Sequence, residues 1–213
     1  KNSIQMPLNQ FFKKLNMKRK SLSATKKTPN FYLTKLKDPQ ILKLFNLFSN
    51  KLVSLDLKNK KIMVGISGGA DSLSVLFFSQ CFALKHHAKI YPVIIDHKLR
   101  KESTTEANNL KYKLKKNFNI NCKILSKKNV KINKNIQSNA RDLRYDLFLN
   151  ECNKQKIDYL ILGHHKDDLI ENFFIRFLRG SGLKGLVSFD KNIKNYNGIK
   201  IIRPFLSISK KDL

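Results

Sequence analysis

The chain has 213 residues, 41 % of them hydrophobic, enough for one well-filled domain plus an extension. Its 43 Lys and Arg against 15 Asp and Glu leave a net charge of +28, which favours a polyanionic partner, although a Lys-, Asn- and Ile-rich chain is also what an AT-rich genome yields. Cys81, Cys122 and Cys152 form no CxxC pair and no metal-finger spacing, so thiols in a reducing compartment are expected, and no apolar run reaches the roughly 20 residues of a membrane span.

Residues 1–37 are basic, with Lys18-Arg19-Lys20 and Lys26-Lys27 and no acid before Asp38, and are predicted to form a mobile arm. Such an arm suits a bacterial protein or an organellar transit segment; the cytoplasm is the expected setting and an organelle the alternative. Asp38-Pro39 then opens a helix whose Ile41, Leu42, Leu44, Phe45, Leu47, Phe48 and Leu52 recur at helical spacing, so residues 38–59 read as a leading helix and linker. Residues 60–213 read as one domain, with strands at 61–66, 89–95, 120–125, 158–163 and 199–203 and helices at 71–85, 103–117, 138–154 and 167–179. Continuous β-branched strands separated by helices predict an α/β fold, a doubly wound parallel sheet with helices on both faces. Ser209 looks like the cap of a further helix, so the chain is expected to stop short of the complete protein.

Ligands of an open parallel sheet bind beyond the carboxyl ends of its strands, and three chemistry-bearing clusters fall there. Ser67-Gly68-Gly69-Ala70-Asp71-Ser72 follows the first strand and leads into a helix. Adjacent glycines let backbone N–H groups and a helix N-terminus surround a phosphate, with Ser67 and Ser72 adding hydroxyls. The loop is neither a Walker A motif nor GxGxxG. Asp96-His97-Lys98-Leu99-Arg100 follows the second strand. Gly163-His164-His165-Lys166-Asp167-Asp168 follows the fourth and begins a helix running through Glu171.

Carboxylates at a helix start are also favoured by the helix dipole, so Asp167 and Asp168 read either as caps or as ligands. Asp168 and Glu171 share one helix face and suit Mg²⁺ completed by substrate phosphates. Arg141 and Arg144 lie three apart on a predicted helix, and their guanidinium forks suit phosphate or carboxylate unless they merely pair with Asp142 or Asp146. Arg176 and Arg179 precede a glycine-rich turn carrying Lys184, a segment that either orders around RNA or simply ends the helix.

The glycine loop resembles the signature of the PP-loop ATP pyrophosphatases, an adenine nucleotide alpha hydrolase-like superfamily that splits ATP into AMP and pyrophosphate. Further motifs make the resemblance narrower. Asp96-His97-x-Leu99-Arg100, Ala140-Arg141-x-x-Arg144-Tyr145, His164-His165-x-Asp167-Asp168-x-x-Glu171, Leu178-Arg179-Gly180-Ser181-Gly182-Leu183 and Arg203-Pro204-Phe205-Leu206 occur in the order seen in tRNA(Ile)-lysidine synthetases. The likeness covers about residues 60–213, the catalytic domain of that family, whose C-terminal tRNA-holding region is absent here. Gln137 stands where the family usually has Glu, and Leu169 and Asn172 replace its usual Gln and Thr.

The resemblance implies ATP-dependent ligation of lysine to carbon 2 of the wobble cytidine in the CAU anticodon of isoleucine tRNA. ATP and Mg²⁺ are the implied cofactors, with isoleucine tRNA and L-lysine as partners, a second copy as a further candidate partner, and no membrane. It implies Asp96, Arg141 and Arg144 as catalytic residues, with Asp96 accepting the amine proton. Ser67, Gly68, Gly69, Ala70, Asp71, Ser72, Gly163 and His164 would bind ATP; Asp167, Asp168 and Glu171 would bind lysine or Mg²⁺. Asp71 and Asp168 are the implied metal ligands, and Arg100, Arg176, Arg179 and Lys184 the implied tRNA contacts. A PP-loop tRNA cytidine thiolase is the nearest rival, which the scattered cysteines argue against. An amide-forming synthetase leaves the basic turn at Arg179 unexplained, and a silent RNA-binding module leaves the polar strand ends unexplained.

Overall fold

The computed structural model describes residues 28–96, 98, 100, 102–127, 136–178 and 193–209. The sheet has six strands: β1 (Lys61–Ile66), β2 (Lys89–Asp96), β3 (Lys123–Ser126), β4 (Tyr159–Ile161), β5 (Ile193–Tyr196) and β6 (Ile199–Ile202), in the order β3-β2-β1-β4-β6-β5. All neighbours pair in parallel except β5 and β6, which are antiparallel. β1 is buried along every residue after Lys61, which is why it reads as an unbroken apolar run rather than an alternation.

The helices are α1 (Thr28–Lys35), α2 (Pro39–Val53), α3 (Ala70–His86), α4 (Ser103–Phe118), α5 (Ile136–Gln155) and α6 (Lys166–Leu178). One core cluster joins α3 and α4 to Ile62, Val64 and Ile94 of the sheet. A second joins Phe148 and Cys152 of α5 to Met63, Val93 and Leu160 on the opposite face. Helices therefore cover both faces, as expected. No helix among the described residues is long and apolar enough to cross a membrane.

α2 starts where Asp38 accepts hydrogen bonds from Gln40 N (2.9 Å) and Ile41 N (3.2 Å), with Pro39 supplying a first-turn position that needs no donor. Its Phe48 packs on Phe78 and Phe205, so the leading helix belongs to the core.

Two expectations need correction. Residues 28–37 do not belong to a mobile arm: Tyr32 and Leu36 of this stretch are buried at 4 % and 6 % exposure, and Phe31 meets Phe77 and Phe118. Aromatic anchoring outweighs the basic composition that suggested the arm. Residues 1–27, and the polar stretch at 128–135, lie outside the described residues. The second correction is β5, an unexpected strand joined to β6 through Asn197 (φ 49°) and Gly198 (φ 86°). Two successive positive φ angles make the tight hairpin turn that Asn-Gly favours.

The chain order runs outward from β1 to β3 and resumes at β4 on the other side of β1. The crevice beyond the carboxyl ends of β1 and β4 is thus the topological switch point, where such sheets take their ligands.

Candidate functional site

The glycine loop forms the turn between β1 and α3. Gly68 adopts φ 86°, and Gly69 starts α3 without any side-chain capping bond, so the first-turn amides of α3 have no side-chain cap from that residue. Ser72 faces inward: its hydroxyl donates to Gly69 O (2.9 Å) and accepts from Ser67 N and Ser67 Oγ, both at 3.2 Å. Ser72 therefore ties the loop together, while Ser67 stands exposed at its lip. Ala70 is the first helical residue and Asp71 the acid of the first turn.

Gly163 brings the β4 loop against this turn. A Cβ at Gly163 would lie 2.9 Å from both Ser72 Cα and Ser72 N and 3.0 Å from Asp71 C, all backbone atoms that cannot yield. Only glycine permits that approach.

The approach creates a carboxylate cluster around His165, which is 4 % exposed. Its Nε2 lies 3.4 Å from Asp71 Oδ2 and 3.6 Å from Asp168 Oδ2, and its Nδ1 lies 3.9 Å from Asp167 Oδ2. Asp168 Oδ2 also accepts the backbone N–H of His165 at 2.9 Å, the reaching-back half of a capping box. Burial raises the Asp168 pKa, the His165 N–H and ring oppose that shift, and Asp71 and Glu171 add to it. Glu171 is exposed one turn further along α6. Among the described residues no group of three or more His, Cys, Asp or Glu side chains is arranged to hold a metal alone. Asp71 and Asp168 each put an Oδ2 within 3.6 Å of His165 Nε2, and Asp71, in the first turn of the helix after the glycine loop, is the carboxylate placed to share a Mg²⁺ with phosphate oxygens and water.

A cationic cluster lies beside it. Arg203, 1 % exposed just past β6, donates from Nη2 to Tyr145 Oη at 3.2 Å. The Arg141 guanidinium sits 5.9 Å from the Tyr145 ring centroid. Burial, with Arg141 close by, lowers the pKa of Arg144, whose Nε is buried without a hydrogen-bond partner among the described residues. His164 is driven down to about 3 by burial first and then by Arg203, Arg144 and Arg141, so it is a neutral imidazole at pH 7. Three guanidinium groups, one buried and two partly buried, are complementary to an anion.

Asp96 is placed differently. It is 3 % exposed at the carboxyl end of β2; Oδ1 accepts from Lys98 N (2.9 Å) and Ser103 Oγ (2.8 Å), and Oδ2 from Thr104 Oγ1 (2.6 Å). Burial alone would raise its pKa, but the bonds from Thr104, Ser103 and Lys98 outweigh it and leave the carboxyl below the usual range. Arg100 is exposed and paired with Glu106 at 3.2 Å. His97, Leu99, Arg179 and Lys184 lie outside the described residues, as do the side chains of Arg176, Gln137 and Asn172.

Thus Gly163 meets Ser72 and Asp71, His165 draws Asp71, Asp167 and Asp168 together, and His164 lies in the field of Arg203, Arg144 and Arg141. Sequence reasoning gave no individual role to Tyr145 or Arg203. Arg203 carried a usable signal, a charge directly after an apolar strand like the other strand ends. Tyr145 carried only its place in the Ala140-Arg141-x-x-Arg144-Tyr145 motif of the resemblance.

A model of the PP-loop domain family matches residues 38–213. The tRNA(Ile)-lysidine synthase of Orientia tsutsugamushi (strain Boryong) is 42 % identical over 156 residues, covering 73 % of this chain and 35 % of that protein. That of Rickettsia prowazekii (strain Madrid E) is 39 % identical over 153 residues, covering 72 % and 35 %. The chain therefore spans about a third of the length of these curated relatives. Among solved structures, the U34-tRNA thiolase NcsA from Methanococcus maripaludis with its [4Fe-4S] cluster matches with a TM-score of 0.66 and 20 % identity, over 81 % of this chain and 60 % of that one, a likeness of fold alone.

Proposed function

The chain belongs to the PP-loop domain family, and on that footing we propose that it activates a tRNA base with ATP and ligates lysine to it, forming lysidine at the wobble cytidine of an isoleucine tRNA. The observation that carries this reading is the meeting, at the ends of β1 and β4, of a glycine turn, a carboxylate cluster and a partly buried cationic cluster. Relatives at 42 % and 39 % identity bearing the lysidine synthase name support it.

The chemistry uses each cluster. Cytosine O2 attacks the α-phosphorus of ATP, the bond to the β-phosphate oxygen breaks, and pyrophosphate leaves. The lysine ε-amine then adds at carbon 2, the carbon–oxygen bond breaks, and AMP departs with that oxygen while the amine loses a proton. Ser67, Gly68, Gly69 and the first-turn amides of α3 stabilise the charge on pyrophosphate without reorganising. A Mg²⁺ that Asp71 would hold, completed by phosphate oxygens and water, would neutralise part of the phosphate charge. Arg141, Arg144 and Arg203, with neutral His164, form a pocket for the AMP phosphate or the lysine carboxylate.

Asp168 and Glu171 receive the lysine ammonium. The proton-accepting role passes from Asp96 to this pair, because a carboxylate with a lowered pKa and both oxygens engaged is a poor base, whereas the raised pKa of Asp168 favours proton uptake. Asp96 instead orders the loop that opens α4.

The thiolase reading gains no support from the thiols: Cys81, Cys122 and Cys152 are buried and pushed up to about 12 by burial. The test is pyrophosphate release from γ-labelled ATP. Release that requires both the tRNA and this chain supports the reading; release indifferent to tRNA contradicts it.

A further inference from the structure

α4 carries a surface that the reaction above does not use. Ala107, Leu110, Leu114 and Phe118 form its buried side. Its outer side presents Tyr112, at 62 % the most exposed large hydrophobic side chain among the described residues, between Lys111 and Lys113. One turn on, Lys116 Nζ lies 5.5 Å from the Tyr112 ring centroid, with Lys115 exposed beside it. Glu102 and Glu106 lie at the opposite end of the helix. The helix dipole accounts for acids first and bases last. It does not account for an aromatic ring held in water among four lysines.

We propose that this face of α4 is an RNA-contacting surface, with phosphates on Lys111, Lys115 and Lys116 and a base stacked on Tyr112. The proposal rests on the tRNA reading and extends it, by saying where the RNA runs after leaving the crevice. Two features fit an RNA strand. Lysines without interleaved acids attract phosphates by counterion release, and an exposed ring offers a sequence-tolerant stacking platform, its face already in reach of a cation. The position fits as well. Thr104 in the first turn of α4 bonds Asp96 at the carboxyl end of β2. Tyr112 follows eight residues later, about 12 Å down the helix at 1.5 Å per residue. A strand whose reacting base sits beyond β1 and β4 would cross the end of β2 and descend along this helix.

The experiment is filter binding of the whole 213-residue chain to an isoleucine tRNA transcript across a salt series. Tyr112→Ala should weaken binding by about 5-fold to 100-fold, and Tyr112→Phe should restore it, since stacking needs the ring and not the hydroxyl. Lys111→Ala with Lys116→Ala should lower the log–log salt slope by about 1 to 2. Lys43→Ala with Lys58→Ala, which removes the same charge from exposed positions elsewhere, should leave more of the slope intact. Wild-type binding that ignores Tyr112→Ala, or a control pair that lowers the slope as much as the α4 pair, overturns the α4 surface and leaves the tRNA reading standing. No binding by the wild-type chain overturns both.

Discussion

His165 Nε2 stands 3.4 Å from Asp71 Oδ2, so an imidazole on the β4 loop is clamped to the first turn of the helix that follows the glycine loop. The same nitrogen is 3.6 Å from Asp168 Oδ2. Two strand ends far apart in sequence thus share one buried ring, which joins the glycine loop and the first-turn acids of α6 into a single cluster.

Asp168 has a structural duty and a proposed chemical one, and substitutions separate them. Asp168→Asn keeps an oxygen for the His165 N–H and should change stability by less than about 0.5 kcal/mol, whereas Asp168→Ala loses the cap and should cost about 1 kcal/mol. Both should lower lysine transfer by on the order of 100-fold. Urea titration beside an activity assay makes the comparison; an active Asp168→Asn variant would remove the chemical role.

Gly163→Ala should be destabilising by about 1–3 kcal/mol, because its Cβ would meet the Ser72 backbone at 2.9 Å. The loops would part, so nucleotide binding should weaken together with thermal stability. Calorimetry of ATP binding and a melting curve measure the two effects. Retention of both would mean that the loops need not touch.

Asp96 should influence acid stability. Its carboxyl binds a proton less readily in the folded chain than in the unfolded one, so its contribution is complete above the ordinary value of 3.8 and fades as pH falls through the lower folded value. Asp96→Asn should flatten stability against pH below about 4. Denaturant midpoints between pH 2 and 6 read this directly, and a profile unchanged by the substitution would show that the loop bonds do not hold Asp96 ionised.

His164 works in a different window. Its folded pKa of about 3 lies below the ordinary 6.5, so below 6.5 the unfolded chain takes up a proton that the folded chain refuses. Stability should decline as pH falls from 6.5 towards 3, and His164→Gln should remove that component of the slope. Imidazole NMR shifts should stay constant for His164 between pH 5 and 8; titration within that range would contradict a neutral ring among Arg203, Arg144 and Arg141.

Much of the architecture was legible because strand and helix patterns differ in period. Continuous runs such as Ile62–Ile66 marked strands buried on both faces, and strand ends collected the polar groups. α1 was hidden because Tyr32 and Leu36 are scattered among lysines, and only α3 and α4 tell them where to pack. β5 was hidden because Ile193–Tyr196 is polar and gains meaning only from pairing with β6, although Asn197-Gly198 announced a hairpin. At the site, loop composition marked the glycine turn between β1 and α3. It did not reveal that Ser72 spends its hydroxyl inside the loop, nor that Asp96 bonds Ser103 and Thr104, since both facts depend on side-chain direction.

The most direct measurement is incorporation of radiolabelled lysine into two transcripts, isoleucine tRNA with a CAU anticodon and methionine tRNA with the same anticodon, with ATP present and absent. The expected result is label in the isoleucine tRNA alone, only with ATP, accompanied by equal amounts of AMP and pyrophosphate. Absence of label when a full-length form carrying this domain is supplied would contradict the proposed ligation.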